Sequence, residues 1–301
     1  TVTEKLNKGR VLLACACINQ DGVTVIDGIA RVIAPSDKVH RPRFVLPEVT
    51  LHAPAAQYAR LVAATTDLTP VRTAVVHPCD ALSLTGALDA AARGIIVPVL
   101  IGPAGRIAGA AKAAGRDLGA IEVIDVPHSH AAAATAVALA KAGKVAALMQ
   151  GALQTDELMA AVMDAALGLR TERLMSHVYV LDVPTYAKPL LITDAAINVA
   201  PDLSAKRDIV QNAIQLAQAL GTAHPKVAIL AAVETVTTRM PATLHAAALC
   251  KMADRGQITG GVLDGPLAFD NAISPAAAAA KGIVSPVAGQ ADILVAPDLE
   301  S

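Results

Sequence analysis

The sequence 71-VRTAVVHPCDALSLTGALDAAARGIIVPVLI-101 contains, in order, an apolar strand, a helix and a second apolar strand. We predict strands over residues 71–76 and 95–101 and a helix over 81–93 that ends at Gly94. Apolar strands separated by a helix of this length are typical of parallel β-α-β units. The stretch therefore predicts an α/β fold.

Strands and helices are predicted to alternate from residue 71 to the last residue, 301. Residues 71–150 are predicted as a first α/β domain and residues 151–301 as a second one. The first domain contains further predicted helices over 104–114 and 129–141 and strands over 122–125 and 146–150. The second contains predicted helices over 155–167, 205–219 (with Ser204 as N-cap) and 242–253, and strands over 173–181, 189–193, 227–232, 260–263 and 291–296.

The first 35 residues differ from the rest of the chain. Residues 10–19 and 23–33 flank Asp21-Gly22, and Asp-Gly between two strand-like runs is a strong signal for a β-hairpin. Gly28 within the second run predicts a bulge. Because two strands alone are marginally stable and position 1 is not Met, we interpret residues 1–35 as the end of a larger β domain.

Two further features of this region are predicted. Cys15 and Cys17 lie on one face of the first strand and are expected to be small buried thiols. Residues 36–70, which contain several prolines, are predicted as a linker. A short helix near residues 52–65 has the apolar periodicity of one buried face.

Composition excludes several classes of function. The formal charge is −1, with 25 basic and 26 acidic residues, so the chain lacks the basic footprint of a nucleic-acid-binding protein. No apolar run reaches the roughly 20 residues of a membrane span, and the charged first residues are unlike a signal peptide. The four cysteines show no zinc-ligand spacing. We therefore expect a cytoplasmic protein without nucleic-acid, membrane or metal partners.

Polar residues gather in the loops that follow the predicted strands. In open α/β sheets, ligands bind outside the carboxyl ends of the strands, and the N–H groups and hydroxyls of such loops suit an anion. Signatures for a dinucleotide site, a P-loop and a nucleophile elbow are missing. The loops are His77-Pro78-Cys79-Asp80, Gln150-Gly151-Ala152, Thr193-Asp194-Ala195-Ala196, the run 234-ETVTTR-239 and Asp264-Gly265-Pro266.

Several long motifs resemble the phosphate acetyl/butyryltransferase family. The segment 145-VAALMQGALQTDELMAAVM-163 resembles the family's M-K-G-x-L-x-T segment, with Gln150 where lysine is common. Residues 168–203, 226–243 and 252–274 resemble the segments that follow, and 281-KGIVSPVAGQADILVAPDLES-301 resembles the family's S-x-V-A-G-x-A-D signature. The resemblance covers roughly residues 71–301, and several long motifs in order are far more specific than one short pattern.

The resemblance implies a two-domain α/β fold like that of isocitrate and isopropylmalate dehydrogenases, with an interdomain cleft, preceded here by the β-hairpin. It implies reversible exchange of an acyl group between coenzyme A and inorganic phosphate, with CoA as a substrate, no metal or other cofactor, and a homodimer. The family's catalytic Ser-Arg pair, and the Asp that follows it in acetyl-type members, lie after the position of Ser301. No catalytic residue is therefore assigned, and the activity of this chain stays open.

Two finer resemblances bear on the substrate and on the N-terminus. Butyryl-type motifs are closer than acetyl-type ones, which predicts an acyl group longer than acetyl. Residues 1–35 resemble the last two strands of a MaoC-type enoyl-CoA hydratase with a hot-dog fold, which implies a bifunctional hydratase/acyltransferase. That family's catalytic acid and base lie upstream, so no hydratase activity is expected in this chain, and a native N-terminal hairpin is the alternative.

The candidates for binding CoA or phosphate are Ser285, Gly289, Asp264, Asp270, Thr193, Asn198, Arg239 and Gln150. Ser285 and the turn that ends at Gly289 either present a hydroxyl and N–H groups to phosphate or form only a tight turn. Asp264 and Asp270 either orient the substrate or, for Asp270 above all, cap the helix that begins near Asn271.

The other candidates carry similar alternatives. One alternative is that the cleft is lined by Thr193, Asp194 and Asn198. The other is that Asp194 holds its own loop through local hydrogen bonds. Arg239 binds a phosphate of CoA or is a solvated surface residue. His177, within an apolar strand, is interpreted as a core histidine bonded to backbone rather than as a base.

Two functions compete with the acyltransferase. One is a dehydrogenase of the same two-domain fold, against which the missing dinucleotide signature and metal-binding carboxylates speak. The other is a CoA-binding fragment without catalytic activity.

Overall fold

The computed structural model describes residues 1–35 and 56–301. The chain divides into two compact units, Thr1–Leu51 and His52–Ser301, and each is described by itself. Residues 36–55 of the predicted linker lie outside the described residues, whereas its predicted helix is present as α1 (Ala56–Ala63). Among the described helices, none is long and apolar enough to cross a lipid bilayer.

The first unit contains one antiparallel sheet in the order β1-β2-β3. Its strands are β1 (Val2–Leu6), β2 (Arg10–Ile18) and β3 (Thr24–Ile33), of which β1 was not predicted. The predicted bulge at Gly28 is wrong, because Gly28 pairs with Cys15 in regular register and the shift lies between Cys17 and Ile18. Cys15 and Cys17 are exposed rather than buried, because the described part of this unit is a single layer.

The second unit alternates strands and helices along its whole length. Its first part contains α1, β4 (Val71–Val76), α2 (Ala81–Ala92), β5 (Ile96–Gly102), α3 (Ala104–Ala113), β6 (Glu122–Asp125), α4 (Ser129–Lys141), β7 (Ala147–Gln150) and α5 (Thr155–Val162). Its second part contains β8 (Val178–Leu181), β9 (Leu190–Thr193), α6 (Leu203–Ala219), β10 (Lys226–Leu230), α7 (Pro241–Asp254), β11 (Val262–Leu267), α8 (Phe269–Ile273), α9 (Pro275–Ala280) and β12 (Ile293–Val295).

The strands of the second unit form two sheets. The first sheet has the order β6-β5-β4-β7 and is parallel throughout. The second sheet has the order β11-β10-β12-β9-β8 and is parallel except for the edge strand β8. The predicted α/β fold with parallel sheets is confirmed. We call the carboxyl edges of the parallel strands the first edge and the second edge, respectively.

Helices cover both faces of the first sheet. On one face Leu100 packs with Leu84 of α2 and Ile107 of α3. On the other face Ile101 packs with Ala133 of α4, and the small alanine side chains let this helix approach the strands closely. Helix α5, which follows the predicted domain boundary at residue 150, packs on this same core. The second sheet is buried in the same way on both faces.

Two predicted elements are shorter in the structure because side chains capture their backbone groups. Helix α5 ends at Val162 instead of residue 167, since the Asp164 carboxylate accepts the N–H groups of Ala166 and Leu167. Strand β8 begins at Val178 instead of residue 173. The N–H and C=O of Leu174 bond to side chains of α6 rather than to a neighbouring strand.

Other elements in the second part of this unit also differ from the prediction. The N-cap of α6 is Asp202, whose carboxylate accepts the Ala205 N–H, and not Ser204. Strand β11 continues to Leu267 rather than ending at residue 263. Helix α8, which was predicted to begin near Asn271, begins at Phe269, and helix α9 was not predicted.

Helix α1 bonds to both parts of the second unit. Its first N–H groups, from Gln57 and Tyr58, both donate to the Asp182 carboxylate at 3.0 Å, just after β8. The Tyr58 hydroxyl accepts a hydrogen bond from Arg93, at the end of α2, and the guanidinium also lies over the Tyr58 ring. Both contacts lie on the amino-terminal side of the sheets, opposite the two edges.

Candidate functional site

Two loops of the first edge are hydrogen-bonded to each other. His77 follows β4, and its ring nitrogen Nδ1 lies 2.7 Å from the carbonyl oxygen of Ala152, which follows β7. The Ala152 N–H donates in return to the His77 carbonyl at 2.9 Å. Strands β4 and β7 are neighbours, so the strand-end argument from sequence correctly brings these two predicted loops together.

Gln150 braces its own loop at this edge. Its side-chain amide donates to the Leu153 carbonyl and to the Thr155 hydroxyl, both at 3.1 Å. Helix α5 begins at Thr155, and its N-cap Gln154 makes no side-chain cap. The N–H groups at a helix start suit an anion, but the first turn of α5 also carries the carboxylates of Asp156 and Glu157, which repel one.

Side chains from three segments meet at the second edge. Glu234, in the loop after β10, accepts hydrogen bonds from Asn271 of α8, at 2.5 Å, and from Lys281 after α9. Asn271 is completely buried, and its Oδ1 has no partner among the described residues. Hydrogen bonding from Lys281 and Asn271 lowers the pKa of Glu234, with Lys281 the larger contributor. We call Glu234, Asn271 and Lys281 the three-residue network.

The Ser285–Gly289 turn is occupied by local hydrogen bonds. The Ser285 hydroxyl accepts the N–H groups of Val287 and Ala288 at 3.0 Å, and the Gly289 N–H donates to the Asn271 carbonyl at 2.7 Å. Gly289 has φ +77°, and a Cβ there would lie 2.6 Å from the Cα of Pro275. These groups therefore hold the turn, which is the second of the two alternatives drawn from sequence.

The predicted cluster after β9 is inward-facing. Thr193 is fully buried and donates to the His177 carbonyl at 2.9 Å. Asp194, also buried, accepts the N–H groups of Ala196, Ile197 and Asn198, so it holds its own loop. The Asn198 amide donates to the Asp194 carboxylate and to a backbone carbonyl. His177 stacks edge-on against Tyr179 with ring centroids 4.5 Å apart.

The remaining predicted residues lie apart from one another. Asp264 accepts the N–H of Gly265 and lies near Cys250 of α7, whose pKa is raised first by burial and then by the Asp264 charge. Asp270 does not cap α8, because Ala268 is the N-cap; it lies in the first turn and pairs with Lys281 at 3.5 Å. Arg239 is exposed, and its guanidinium has no hydrogen-bond or ion-pair partner within residues 1–35 and 56–301.

Sequence reasoning missed a basic pair at the second edge. Lys206 of α6 is buried, and its Nζ lies 3.2 Å from Nδ1 of His245 on α7. Desolvation lowers the pKa of both groups; the Lys206 charge adds to the effect on His245, and Asp298 opposes the effect on Lys206. Helices α6 and α7 follow β9 and β10, so their first turns flank the end of β12. That topology, rather than any sequence spacing, is the signal that locates the pair.

The two thiols of the second unit, and metal ligands in the described ranges, offer no alternative chemistry. Burial raises the pKa of Cys79, and burial together with two nearby carboxylates raises that of Cys250 to about 12. Neither thiol is poised as a thiolate nucleophile at neutral pH. Within the described ranges, no group of three or more His, Cys, Asp or Glu side chains is arranged to hold a metal ion.

A groove of about 830 Å³ lies between the end of α5 and helix α6. Its size is in the range of small-molecule sites, but its lining includes three carboxylates against two guanidinium groups, from Glu172, Asp202, Asp208, Arg170 and Arg173. A polyanion such as a nucleotide would meet net repulsion there.

Parallel sheets covered by helices, with polar loops at the carboxyl edges of the strands, place the protein in the α/β class, in which ligands bind at those edges. Residues 129–301 match the family described as phosphate acetyl/butaryl transferase. The chain belongs to this phosphate acetyl/butyryltransferase family, as its motifs predict.

Relatives of the chain carry the names of this activity. It is 60% identical to a phosphate acetyltransferase of Rhizobium meliloti over 83% of this chain and 79% of that protein. It is 57% identical to a phosphate acetyltransferase of Rickettsia prowazekii over 82% of this chain and 71% of that protein. It is 41% identical to a phosphate butyryltransferase of Clostridium acetobutylicum over 76% of each chain. No dehydrogenase is among these three.

Solved structures support the fold. A branched-chain phosphotransacylase from Enterococcus faecalis V583 superposes with TM-score 0.65 at 28% identity, over 76% of this chain and 80% of that one. A phosphotransacetylase from Streptococcus pyogenes superposes with TM-score 0.68 at 18% identity, over 83% of each chain. The second likeness is one of fold alone.

Proposed function

We propose that this protein exchanges an acetyl group between coenzyme A and inorganic phosphate: acetyl-CoA + phosphate = acetyl phosphate + CoA. The observation that carries the proposal is the 60% identity to a phosphate acetyltransferase over 83% of the chain. The four relatives above 55% identity bear that name, whereas those named as butyryltransferases, one of them as a probable one, share 40–50%. Acetyl is therefore favoured over the longer acyl group that the motifs predicted.

The reaction sets clear demands on the site. An oxygen of hydrogen phosphate attacks the thioester carbonyl, the C–S bond breaks, and the proton of the phosphate ends on the CoA sulfur. The site must hold a multiply charged phosphate, stabilise a tetrahedral oxyanion and place both substrates together. We propose that N–H groups and hydroxyls of the strand-end loops hold the phosphate, and that the exposed Arg239 binds a phosphate of CoA.

We further propose that the substrates bind in an interdomain cleft between the first and second edges, as in dehydrogenases of this fold. The support is that each edge carries polar loops while the strands behind them are apolar and buried. The homodimer is proposed on the family resemblance alone, and light scattering of the purified protein tests it by mass. The hot-dog hydratase origin of residues 1–35 is likewise proposed from the resemblance of their sequence.

A direct assay tests the proposed reaction. Purified protein is mixed with acetyl-CoA and phosphate, released thiol is followed with a thiol reagent, and acetyl phosphate is trapped as the hydroxamate. We expect thiol release that requires phosphate and yields one acyl phosphate per thiol. Thiol release without phosphate, or none at all, would contradict the proposal. Butyryl-CoA run in parallel decides the acyl preference by the ratio of kcat/KM values.

A further inference from the structure

We infer that the outer edge of β3 is a self-association surface, on which β3 of a second copy of this chain pairs in antiparallel register. The inference concerns the first unit alone and does not depend on the proposed acyl transfer. The sheet order β1-β2-β3 makes β3 an edge strand. Within residues 1–35 and 56–301, no strand pairs with its outer side.

The backbone of β3 presents a row of unpaired groups along this edge. The Ala34 N–H donates to the Gly9 carbonyl at 2.7 Å, which fixes the side of β3 that faces β2. The backbone groups of an antiparallel strand point alternately to its two sides, and the pairing with β2 is regular from Ile26 onward. The even-numbered residues therefore bond to β2. The residues whose N–H and C=O groups point outward are Asp27, Ile29, Arg31 and Ile33.

β3 lacks the features with which edge strands avoid pairing with other chains. Those features are short length, lysine, proline and a bulge that interrupts the edge. β3 has ten residues, Thr24–Ile33, and none of them is lysine or proline. Its register shift lies at its first residues, so the rest of the edge is uninterrupted. Two of the outward residues are large and apolar, and Ile29 and Ile33 are 74% and 73% exposed.

The charges of β3 favour one register. Asp27 and Arg31 are about 13 Å apart along an extended strand, and neither has an ion-pair partner in the described part of the chain. When Ile29 of one copy lies opposite Ile29 of the other, each Asp27 lies opposite an Arg31. Opposite charges at directly paired positions stabilise a sheet, and like charges destabilise it. Registers centred on Asp27 or Arg31 place like charges opposite each other.

The backbone agrees with the register centred on Ile29. Because Asp27, Ile29 and Arg31 all point their backbone groups outward, each of these positions forms a hydrogen-bonded pair with its partner. A slip of one residue would set outward groups against inward ones and move every side chain to the other face. The same register places Ile26 opposite Val32. Charge, hydrogen bonding and apolar contact thus favour the same symmetric pairing, which identifies the partner as a second copy.

Exchange of the two charges tests the pairing. Asp27→Arg alone, or Arg31→Asp alone, places like charges opposite each other at both positions. We expect each change to weaken self-association about tenfold. A mixture of the two variants restores opposite charges, as does the double variant, and both should associate as tightly as wild type. Sedimentation equilibrium over a range of protein concentrations measures the association. Arg10→Asp, the same change at an exposed residue of the central strand β2, is the matched control and leaves association unchanged.

The pattern across variants separates this surface from other contacts between copies. A homodimer formed through the second unit is present in every variant, and only the further association step responds to the two charges. Weakening in both single variants with recovery in the mixture supports the inference. Equal association of wild type and single variants, or weakening without recovery, overturns it. Thiol release measured on the same samples tests the proposed function separately.

Hydrogen exchange of the wild-type protein decides the question if a single variant does not fold. The amides of Ile29 and Arg31 have no acceptor within the described residues of one copy. Slow exchange of these amides that becomes faster on dilution supports the pairing. Fast exchange at every concentration, or slow exchange that dilution leaves unchanged, overturns it, since the edge is then either open or covered within one copy.

Discussion

The first and second edges are held together by different kinds of contact. At the first edge, side chains bond mainly to backbone: His77 to Ala152, and Asp80 to the Ser83 N–H at the start of α2. At the second edge, some side chains also bond to backbone, but others bond to one another, in the three-residue network and in the Lys206–His245 pair. The difference predicts that the second edge is the more sensitive to changes of charge.

Asn271→Asp tests the charge sensitivity most severely. It places a second carboxylate beside Glu234 at a fully buried position, and an uncompensated buried charge costs about 4 kcal/mol. We expect urea unfolding at pH 7 to show that loss, with partial recovery near pH 5 as the new carboxyl takes up a proton. The same change at Asn19, which is partly exposed and whose Oδ1 accepts two backbone N–H groups, is the control and leaves stability unchanged. If Asn271→Asp is as stable as wild type, the second edge is not the more sensitive to changes of charge.

Gly289→Ala asks whether the second edge also depends on shape. A Cβ there meets Pro275 at 2.6 Å and forces a left-handed φ on alanine. We expect a loss of about 3 kcal/mol in the free energy of unfolding. Gly282→Ala measures the cost of the left-handed φ alone, since Gly282 has φ +66° but open space around it. We expect this variant to lose only about 1 kcal/mol in the free energy of unfolding. Equal losses in the two variants would show that the contact with Pro275 is unimportant.

Asp80→Ala measures a local contact of the first edge. It removes the carboxylate that caps α2, and loss of an N-cap costs about 1 kcal/mol. Hydrogen bonding to the Ser83 N–H lowers the pKa of Asp80. The cap is therefore fully present above pH 3.8 and is lost as pH falls through the lower pKa of the folded state. Thermal unfolding at pH 7 and pH 3 checks this prediction. The difference in Tm between wild type and variant should be smaller at pH 3, and an equal difference at both pH values would contradict it.

Glu234→Gln is expected to change the free energy of unfolding least. Glu234 and Lys281 are both partly exposed, and such ion pairs contribute little to stability. Hydrogen bonding lowers the pKa of Glu234 below 4.5. The contribution is thus complete above pH 4.5 and disappears as pH falls through the folded-state pKa. We expect the unfolding curves of wild type and variant to differ slightly at pH 7 and to coincide near pH 2. Added salt should also reduce the difference in stability between wild type and variant, which distinguishes a charge effect from altered packing.

Individual strands and helices could be predicted where the residues that mark their ends lie within or beside the element itself. Strand β4 and helix α4 begin and end at the predicted residues, since apolar runs and flanking turn residues mark them. Strand β8 was predicted too long because its apolar pattern extends to residue 173, while the backbone of Leu174 bonds to Asp208 and Asn212 of α6. No pattern within a short window reveals a partner more than thirty residues away.

The candidate site was predictable only in part, for the same reason. The rule that ligands bind at strand ends located the loops of His77, Gln150 and Glu234 correctly. It did not reveal the three-residue network or the Lys206–His245 pair, in which the hydrogen-bonded partners are 37 to 47 residues apart. Residues that looked chemically available in the sequence, such as Thr193 and Asp194, are satisfied by neighbours in the fold.

Helix α1 spans only eight residues, yet one end of it bonds to Asp182 and its side bonds to Arg93. It therefore works as a brace between two halves whose hydrophobic cores are separate. A protease cut inside this helix would loosen one half against the other without opening either core. That makes α1 a convenient place to uncouple the halves mechanically while both remain folded.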